Sequence, residues 1–216
     1  MDERLQMWLV RHGETEWSLN GAHAGITDVA LTDRGRHQAA MIGRHLEGKR
    51  FVRVLTSPRE RARETCRLAG FGNVAQTEDA IQEWNYGSYE GRTASEIRQV
   101  RPEWSIWKDG PRGGETIDQV AARAKSVITD FVSCAGAVLL FSHAHFLRIL
   151  AACWLGLEPD TGRFLAMDVA SLSILGHERE TRVIRLWNDF AGLLPTRKVR
   201  ALDSHGNNVR RTQVQR

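Results

Sequence analysis

The sequence predicts an α/β fold, a three-layer α/β/α sandwich in which helices cover both faces of a mostly parallel central sheet. Short apolar runs of strand length alternate along the chain with longer segments whose apolar residues recur at helical spacing. Three of the apolar runs lead directly into reactive side chains, at residues 11–12, 57–59 and 142–143. Parallel strands bring such ends to one edge of the sheet, where α/β proteins bind ligands.

The first half of the chain is predicted to hold strands at about 6–10 and 52–56, and helices at about 33–47 and from residue 57. Thr32 is expected to cap the first of these helices and Gly48 to end it. At the second, Ser57 is expected to be the N-cap and Pro58 the first helical residue, and Glu60 completes a capping box.

The second half begins with a segment rich in Trp, Tyr and Gly at 83–111, which we expect to cover the sheet edge and to contain a short helix near 93–100. The remaining elements are predicted to be a helix at 116–133, a strand at 137–141, a helix at about 144–156, and strands at about 169–175 and 182–188. The run at 137–141 is the strongest buried strand of the chain.

Composition is that of an ordinary globular protein, since 42% of the 216 residues are hydrophobic and 26% are charged. We expect one domain over residues 1–196. The net charge of +4 arises in residues 197–216, which hold six Lys or Arg and one Asp, so the rest of the chain is almost neutral. This segment is expected to be a basic, flexible tail rather than an arm that binds nucleic acid.

No apolar run is long enough to cross a membrane, and the first residues do not resemble a secretory signal. Cys66, Cys134 and Cys153 lie in apolar stretches and are expected to be free thiols in a reducing cytoplasm. We therefore expect a cytoplasmic protein with no nucleic-acid or membrane partner, and the sequence leaves a homodimer open.

The three strand ends bring together two arginines, Arg11 and Arg59, and two histidines, His12 and His143. Guanidinium groups match phosphate oxygens, and helix N-termini after Ser57 and His143 would add amide donors. The cations disfavour protonation of His12, which leaves a nitrogen lone pair able to attack phosphorus. The sequence thus predicts a site for a dianionic phosphoryl group with His12 as the nucleophile.

A metal site is the alternative interpretation of His12, His143 and His145. No carboxylate or cysteine is grouped with these histidines at ligand spacing, and two arginines would repel a dication. We therefore expect neither a metal nor a cofactor, and we expect His145 to pack beneath the pocket rather than line it.

These motifs resemble those of the histidine phosphatase superfamily, also called the phosphoglycerate mutase-like family. The resemblance extends from about residue 7 to residue 190, and its motifs are Leu9-Val-Arg-His-Gly-Glu-Thr-Glu-Trp17, Leu31-Thr-Asp-Arg-Gly-Arg-His-Gln-Ala39, Ser57-Pro-Arg-Glu-Arg-Ala-Arg-Glu-Thr65 and Ser142-His143. It implies a phosphoglycerate mutase-like fold and phosphorylation of His12. It also implies that Arg11, Arg59 and His143 hold the phosphoryl group.

The same resemblance identifies Glu83 as the proton donor to the leaving oxygen. A carboxylic acid kept neutral by a partly apolar setting, here beside Trp84 and Tyr86, is suited to that role. Glu14 and Glu90 are the competing carboxylates. The residues expected to bind the substrate are Ser18, His23, Ala24, Gly25, Tyr86 and Ala144.

Within the family, the segments at 83–91, 104–110 and 113–116 look most like bacterial acid phosphatases and fungal sedoheptulose-1,7-bisphosphatase. Mutases usually carry Asn where Ser18 stands and Arg where Ala22 stands, and they carry a basic insertion that this chain lacks. We therefore expect a phosphatase that acts on phosphomonoesters of small metabolites, sugar phosphates among them. A cofactor-dependent phosphoglycerate mutase is the alternative, and a catalytically silent binding module on the same fold is a third hypothesis.

Overall fold

A computed structural model describes residues 4–190 of the chain. The tail predicted at 197–216 and the domain end predicted at 196 lie outside these residues. The six strands are β1 (Gln6–Arg11), β2 (Arg53–Thr56), β3 (Gln76–Thr77), β4 (Ala137–Ser142), β5 (Leu172–Glu178) and β6 (Thr181–Asp189). They form one sheet in the order β3-β2-β4-β1-β5-β6. Strands β1 to β4 run parallel, β5 pairs antiparallel with β1, and β6 pairs antiparallel with β5.

The helices are α1 (Glu16–Asn20), α2 (Asp33–His45), α3 (Glu60–Leu68), α4 (Ala94–Val100), α5 (Ile106–Asp109), α6 (Ile117–Phe131) and α7 (Ala144–Trp154). Short 3₁₀ turns lie at Asp79–Ile81, Gly87–Tyr89 and Pro159–Phe164. Helices α2 and α3 cover one face of the sheet and α6 and α7 cover the other, which confirms the predicted sandwich.

Both faces of the central strands are buried because helices cover both sides. Consecutive strand residues point to opposite faces, so Leu9 and Leu140 join the core under α6 and α7. Val10 and Phe141 join the core under α2 and α3. Each such side chain stabilises the fold by about 1.5–3 kcal/mol, which explains why β1 and β4 are continuous apolar runs.

The register of the parallel strands brings the predicted reactive ends together. Arg11 at the end of β1 pairs with Ser142 at the end of β4. The His12 N–H then donates to the Ser142 carbonyl at 3.0 Å, and the Ser57 N–H donates to the Phe141 carbonyl at 2.9 Å. All three strand ends therefore lie at one edge of the sheet, as the sequence predicts.

The predicted start of helix α3, the helix expected from residue 57, is wrong. Helix α3 begins at Glu60, and its N-cap is Arg59, whose side chain makes no capping bond. The Ser57 hydroxyl lies 2.7 Å from Nε2 of His143, and the Glu60 N–H donates to Oδ1 of Asp28 at 2.8 Å. The Ser57 hydroxyl still accepts locally from the Arg59 N–H at 3.3 Å. Its bond with His143 and the Asp28 carboxylate on the Glu60 N–H take the place of the rest of the capping box.

Strand β5 starts three residues later than predicted because residues 168–171 form a turn. In this turn the Ala170 N–H donates to the His12 carbonyl at 3.0 Å, and the Ser171 carbonyl accepts from the Arg11 N–H at 3.2 Å. The turn therefore braces the loop that follows β1.

The three cysteines form no disulfide, and Cys66 and Cys153 are buried whereas Cys134 is half-buried. Burial raises the pKa of the Cys66 thiol to about 12. No helix within residues 4–190 is both long enough and apolar enough to cross a bilayer.

Two glycines let the loop after β1 rest directly on α2. A Cβ on Gly35, in the first turn of α2, would lie 2.1 Å from the Glu14 carbonyl oxygen. A Cβ on Gly13 would lie 2.5 Å from the Gly35 carbonyl oxygen. Neither gap admits a side chain, so this backbone contact sets the height of the loop above the helix.

We expect Gly35→Ala to lower the free energy of unfolding, although alanine favours a helix over glycine by about 1 kcal/mol. The added Cβ meets backbone atoms that cannot turn away, and overpacking of this kind costs about 1–3 kcal/mol or more. Urea unfolding followed by circular dichroism measures the change. Ala40→Gly, at an exposed site of α2, gives the propensity effect alone, and equal or higher stability of Gly35→Ala would contradict the close packing.

Candidate active site

A pocket of about 220 Å³ opens at the carboxyl edge of β1 and β4. The predicted residues that line it are Arg11, His12, Ser18, His23, Ala24, Glu83, Tyr86 and Ala144. Arg59, His143 and Gly25, which were also predicted, do not line it. Residues that line it without having been predicted to do so include Thr15, Ala22, His145, Arg148 and Met167.

His12 is held as a neutral ring with one nitrogen available. Its Nδ1 lies 2.7 Å from the carbonyl oxygen of Gly13, which accepts only, so Nδ1 carries the proton and Nε2 carries the lone pair. Burial is the main cause that keeps the pKa of His12 well below its ordinary value, and the charges of Arg61 and Arg11 add to it. The uncharged imidazole expected from the sequence is therefore present.

Arg11 offers the pocket a cation with an unused donor. Its Nη1 donates to the carbonyl of Met167 at 2.6 Å, whereas its Nε is buried without a hydrogen-bond partner in the described chain. Burial lowers the pKa of this guanidinium from its usual value. An unpaired buried donor costs about 1–3 kcal/mol, so the site favours an acceptor such as a phosphate oxygen.

Arg61 occupies the position beside the histidines that the sequence assigned to Arg59. The Arg59 guanidinium instead donates to the Ile26 carbonyl at 2.8 Å and to Oε1 of Gln82 at 2.7 Å. Arg59 is the N-cap of α3, whereas Arg61 lies on the inward face of that helix, one turn before the buried Thr65. An arginine on the apolar stripe of α3 was the signal that the sequence analysis missed.

Four hydrogen bonds hold the Arg61 side chain, which is 0% exposed. Its Nε donates to Nδ1 of His143 at 3.2 Å, and its Nη1 donates to the Thr27 carbonyl at 2.9 Å. Its Nη2 donates to the carbonyls of Ala24 at 2.7 Å and Gly25 at 3.0 Å. Burial lowers the pKa of this guanidinium, but an arginine stays charged, so a fixed positive charge lies at the base of the site.

His143 is a neutral ring whose two nitrogens are both engaged. Because Arg61 can only donate to Nδ1, the proton of the neutral ring is on Nε2, which donates to the Ser57 hydroxyl at 2.7 Å. Burial above all, and then Arg61, holds the pKa of His143 well below its ordinary value. Its ring centroid lies 5.2 Å from that of His12, and the His143 ring joins Arg61 to Ser57.

Glu83 lines the pocket with both of its carboxyl oxygens bound to backbone N–H groups. Its Oε1 accepts from the N–H groups of Trp84 and Phe146, both at 2.9 Å, and its Oε2 accepts from the His145 N–H at 3.2 Å. Two of these donors belong to the first turn of α7. Two N–H groups of that helix N-terminus, which was expected to bind phosphate, therefore bind Glu83, just as Asp28 occupies the Glu60 N–H of α3.

The competing carboxylates are engaged outside the pocket. Glu14 accepts from the Thr32 hydroxyl at 2.8 Å and pairs with Arg34 at 3.3 Å. Glu90 accepts from four backbone N–H groups at 3.0–3.2 Å, those of Gly25, Ile26, Thr27 and Tyr86. Within residues 4–190, Glu83 is the carboxylate that lines the pocket.

Aromatic rings with polar tips form the outer wall. His23 Nδ1 lies 2.6 Å from the Arg92 carbonyl, which leaves Nε2 as an acceptor. The Tyr86 hydroxyl lies 2.6 Å from Nδ1 of His145. Burial is the main cause that raises the pKa of Tyr86 and lowers that of His145. His145 is one of the residues that line the pocket, so the prediction that His145 packs beneath the pocket is wrong.

Two predicted substrate residues have structural partners. The Ser18 hydroxyl accepts from the Thr15 N–H at 2.9 Å and caps α1, although Ser18 also lines the pocket. Gly25 does not reach the pocket, and a Cβ there would lie 2.3 Å from both the Glu90 carboxylate and the Trp84 carbonyl oxygen. Gly25 therefore lies in the loop around Arg61 and outside the pocket lining.

Arg148 is a further cation of the pocket that sequence reasoning missed. It lies on α7 one turn after Ala144, donates from Nε to the Gly162 carbonyl at 3.0 Å and lies 4.6 Å from the ring centroid of Trp107. Burial lowers the pKa of its guanidinium. An arginine four residues after Ala144 in an otherwise apolar helix was the available signal.

Metal ligands are not grouped in the described part of the chain. No set of three or more His, Cys, Asp or Glu side chains there is placed to hold a metal ion. What the pocket does combine is a neutral imidazole, fixed guanidinium groups and one carboxyl group. This combination is suited to transfer of an anionic group to nitrogen with proton transfer to the group that leaves.

Comparison with known proteins gives a consistent result. A family model described as the histidine phosphatase superfamily (branch 1) matches residues 7–190. The acid phosphatase of Mycobacterium tuberculosis is 40% identical over 181 residues, which cover 82% of this chain and 89% of that protein. The sedoheptulose 1,7-bisphosphatase of Saccharomyces cerevisiae is 34% identical over 183 residues, which cover 69% of this chain and 67% of that protein. A solved structure of an open reading frame from M. tuberculosis has a TM-score of 0.80 at 39% identity, over 85% of this chain and 96% of that one.

We expect the free energy of unfolding to fall as the pH is lowered below about 6.5. Burial keeps the folded-state pKa of His12 and His143 well below the ordinary 6.5, so the unfolded chain binds more protons. Each histidine then removes roughly 1 kcal/mol of stability per pH unit, until the pH reaches its own folded-state pKa. Urea titrations at several pH values measure the slope, which should be shallower for His143→Gln. A stability that stays constant as the pH falls through this range would contradict two buried neutral rings.

Proposed function

The chain belongs to the histidine phosphatase superfamily and is a phosphatase, and we propose that it hydrolyses phosphomonoesters of small metabolites through a phosphohistidine at His12. The observation that carries this proposal is the neutral His12 ring, whose Nδ1 proton is held by Gly13 and whose Nε2 lone pair is available in the pocket. The proposal retains the nucleophile predicted from the sequence and replaces Arg59 with Arg61.

In the first step, Nε2 of His12 attacks phosphorus while the bond from phosphorus to the ester oxygen breaks. Glu83 gives its proton to that oxygen, so the product leaves as a neutral alcohol. The charge that spreads over the three equatorial oxygens is stabilised by Arg11, whose Nε lacks a partner in the described chain, and by the field of Arg61.

In the second step, the Glu83 carboxylate accepts a proton from water as the water oxygen attacks phosphorus. The bond from Nε2 of His12 to phosphorus breaks, its electrons return to the ring, and inorganic phosphate leaves. The proton on Glu83 is then ready for the next ester. Every proton is accounted for by His12, Glu83, water and substrate, and we propose that neither a metal nor a cofactor takes part.

The lining residues His23, Tyr86 and Arg148 favour a leaving group that is polar and carries its own negative charge. His23 and Tyr86 offer polar atoms to hydroxyl groups, and Arg148 offers the pocket a second cation. The yeast relative is named for a sugar bisphosphate, a class that has both features. We therefore propose sugar phosphates, including bisphosphates, as the substrate class.

Mutase activity is less well supported than hydrolysis. Ala22 and Ser18, which line the pocket, stand where mutases usually carry Arg and Asn. A mutase must grip a second anionic group and keep the phosphohistidine from water, and these small residues do neither. A cytoplasmic location stays a prediction, and a homodimer stays open.

We expect His12→Ala to lower phosphate release from p-nitrophenyl phosphate and from a panel of sugar phosphates by at least about 10⁴-fold, the scale for loss of a nucleophile. When the reaction with substrate labelled on its phosphoryl group is quenched in alkali, the label should remain on the parent protein and be absent from His12→Ala. Equal turnover by the two proteins would rule out His12 as the nucleophile.

Two controls define the reaction class. The parent rate should be unchanged in excess EDTA, and its loss would contradict a metal-independent mechanism. Incubation with 3-phosphoglycerate should release phosphate or leave the compound intact, whereas its conversion to 2-phosphoglycerate without phosphate release would favour the mutase.

A matched pair of variants tests the replacement of Arg59 by Arg61. Arg61→Met should lower kcat/KM for p-nitrophenyl phosphate by about 100-fold or more, because it removes a fixed cation from the transition state. Arg59→Met should change it by no more than about fivefold, the scale of a half-exposed contact. The reverse order would restore the assignment made from sequence, and circular dichroism checks that both variants fold.

A further inference from the structure

The chain segment that carries Glu83 has no regular secondary structure to hold it. It leaves the 3₁₀ turn Asp79–Ile81 and stays irregular up to residue 86. One guanidinium from α6, that of Arg123, binds two carbonyl oxygens of this segment and one of the 3₁₀ turn before it. Nη1 donates to the carbonyls of Ala80 at 2.7 Å and Gln82 at 3.1 Å, and Nη2 lies 3.5 Å from that of Glu83 itself.

Glu115 holds the other side of the same segment. Its backbone N–H donates to the Asn85 carbonyl at 3.0 Å, and its Oε2 accepts from the Asn85 N–H at 3.0 Å. Its carbonyl accepts from the indole N–H of Trp84 at 2.8 Å. Glu115 thus grips the two residues that follow Glu83.

Arg123 and Glu115 also bind each other in a two-pronged ion pair. Nε of Arg123 lies 2.8 Å from Oε1 of Glu115, and its Nη2 lies 2.9 Å from Oε2. The two side chains are only 18% and 21% exposed, so water screens the pair weakly. The pair therefore joins the segment before Glu83 to the segment after it.

The same guanidinium also lies over the side chain of Phe146, the residue whose backbone N–H binds the Glu83 carboxyl. It lies 5.2 Å from the ring centroid of Phe146, whose N–H donates to Oε1 of Glu83 at 2.9 Å. Arg123 thus bears on both the backbone and the carboxyl end of Glu83. Neither Arg123 nor Glu115 lines the pocket.

We infer that Arg123 and Glu115 are positioning residues that set where the Glu83 carboxyl stands for proton transfer to the leaving oxygen. The inference depends on the proton-donor role of Glu83 under the proposed function. Proton transfer works only within hydrogen-bond reach, and a misplacement of about 1 Å can cost about 100-fold in rate. Losing the pair should therefore impair the protonation step and leave phosphate binding and attack by His12 largely intact.

Two esters with different leaving groups separate these steps. p-Nitrophenolate leaves without a proton, whereas the alkoxide of glycerol 2-phosphate must be protonated as it leaves. The ratio kcat/KM covers every step up to departure of the leaving group, so it excludes the later hydrolysis of the phosphohistidine. We expect Arg123→Met and Glu115→Gln to lower kcat/KM for glycerol 2-phosphate at least about tenfold more than for p-nitrophenyl phosphate.

A double variant and a matched control sharpen the test. Arg123→Met in a Glu83→Gln background should add no further loss with glycerol 2-phosphate, since the group that the pair positions is gone. Arg67→Met removes an arginine that pairs with Glu64 at 3.0 Å on the exposed side of α3, and it should leave the ratio between the two esters unchanged. Glu115→Gln keeps the size of the side chain and serves if Arg123→Met does not fold.

Each outcome has a separate meaning. Equal losses of kcat/KM with both esters in the single variants would overturn the inference, and so would a full additional loss from Arg123→Met in the Glu83→Gln background. In either case the activity of the parent protein would leave the proposed function standing. A parent that hydrolyses neither ester would overturn the proposed function, and the inference with it.

Discussion

One buried cation, the guanidinium of Arg61, lies outside the pocket lining and determines how the pocket is arranged. An arginine inside a protein stays charged, so the fold must surround it with acceptors. The carbonyls of Ala24, Gly25 and Thr27 provide them, and Glu90 in turn binds the N–H groups of the same loop. The charge so held is fixed beside two histidines, where it helps to keep both rings neutral.

The tautomers of those histidines follow from their neighbours. A carbonyl takes the proton of His12 at Nδ1, and a guanidinium that can only donate sets the proton of His143 at Nε2. The result is one ring with an available lone pair and a second ring that links Arg61 to Ser57. Glu83 is positioned in a similar way, by backbone N–H groups at the start of α7. Hydrogen-bond partners, more than residue types, thus decide which atom does which chemistry.

Local signals predicted much of the fold and part of the site. The apolar runs of β1 and β4 identified both strands because each is buried on two faces, and the cap predicted at Thr32 is where helix α2 begins. The capping box at Ser57 was equally clear and yet does not form. The Ser57 hydroxyl keeps a local bond from the Arg59 N–H, but it also pairs with His143, and the Glu60 N–H is bound by Asp28. Local propensity succeeds where no distant group competes for the same donor or acceptor.

The sequence by itself determined the alternation of strands and helices, the meeting of three strand ends at one edge, and His12 as the nucleophilic candidate. Only the tertiary structure decided that Arg61 rather than Arg59 stands beside the histidines, that Glu83 binds the N-terminus of α7, and that His145 and Arg148 line the pocket. The physical reason is separation along the chain. Arg61 and His143 are 82 positions apart, and the pattern of residues around either one contains no information about the other.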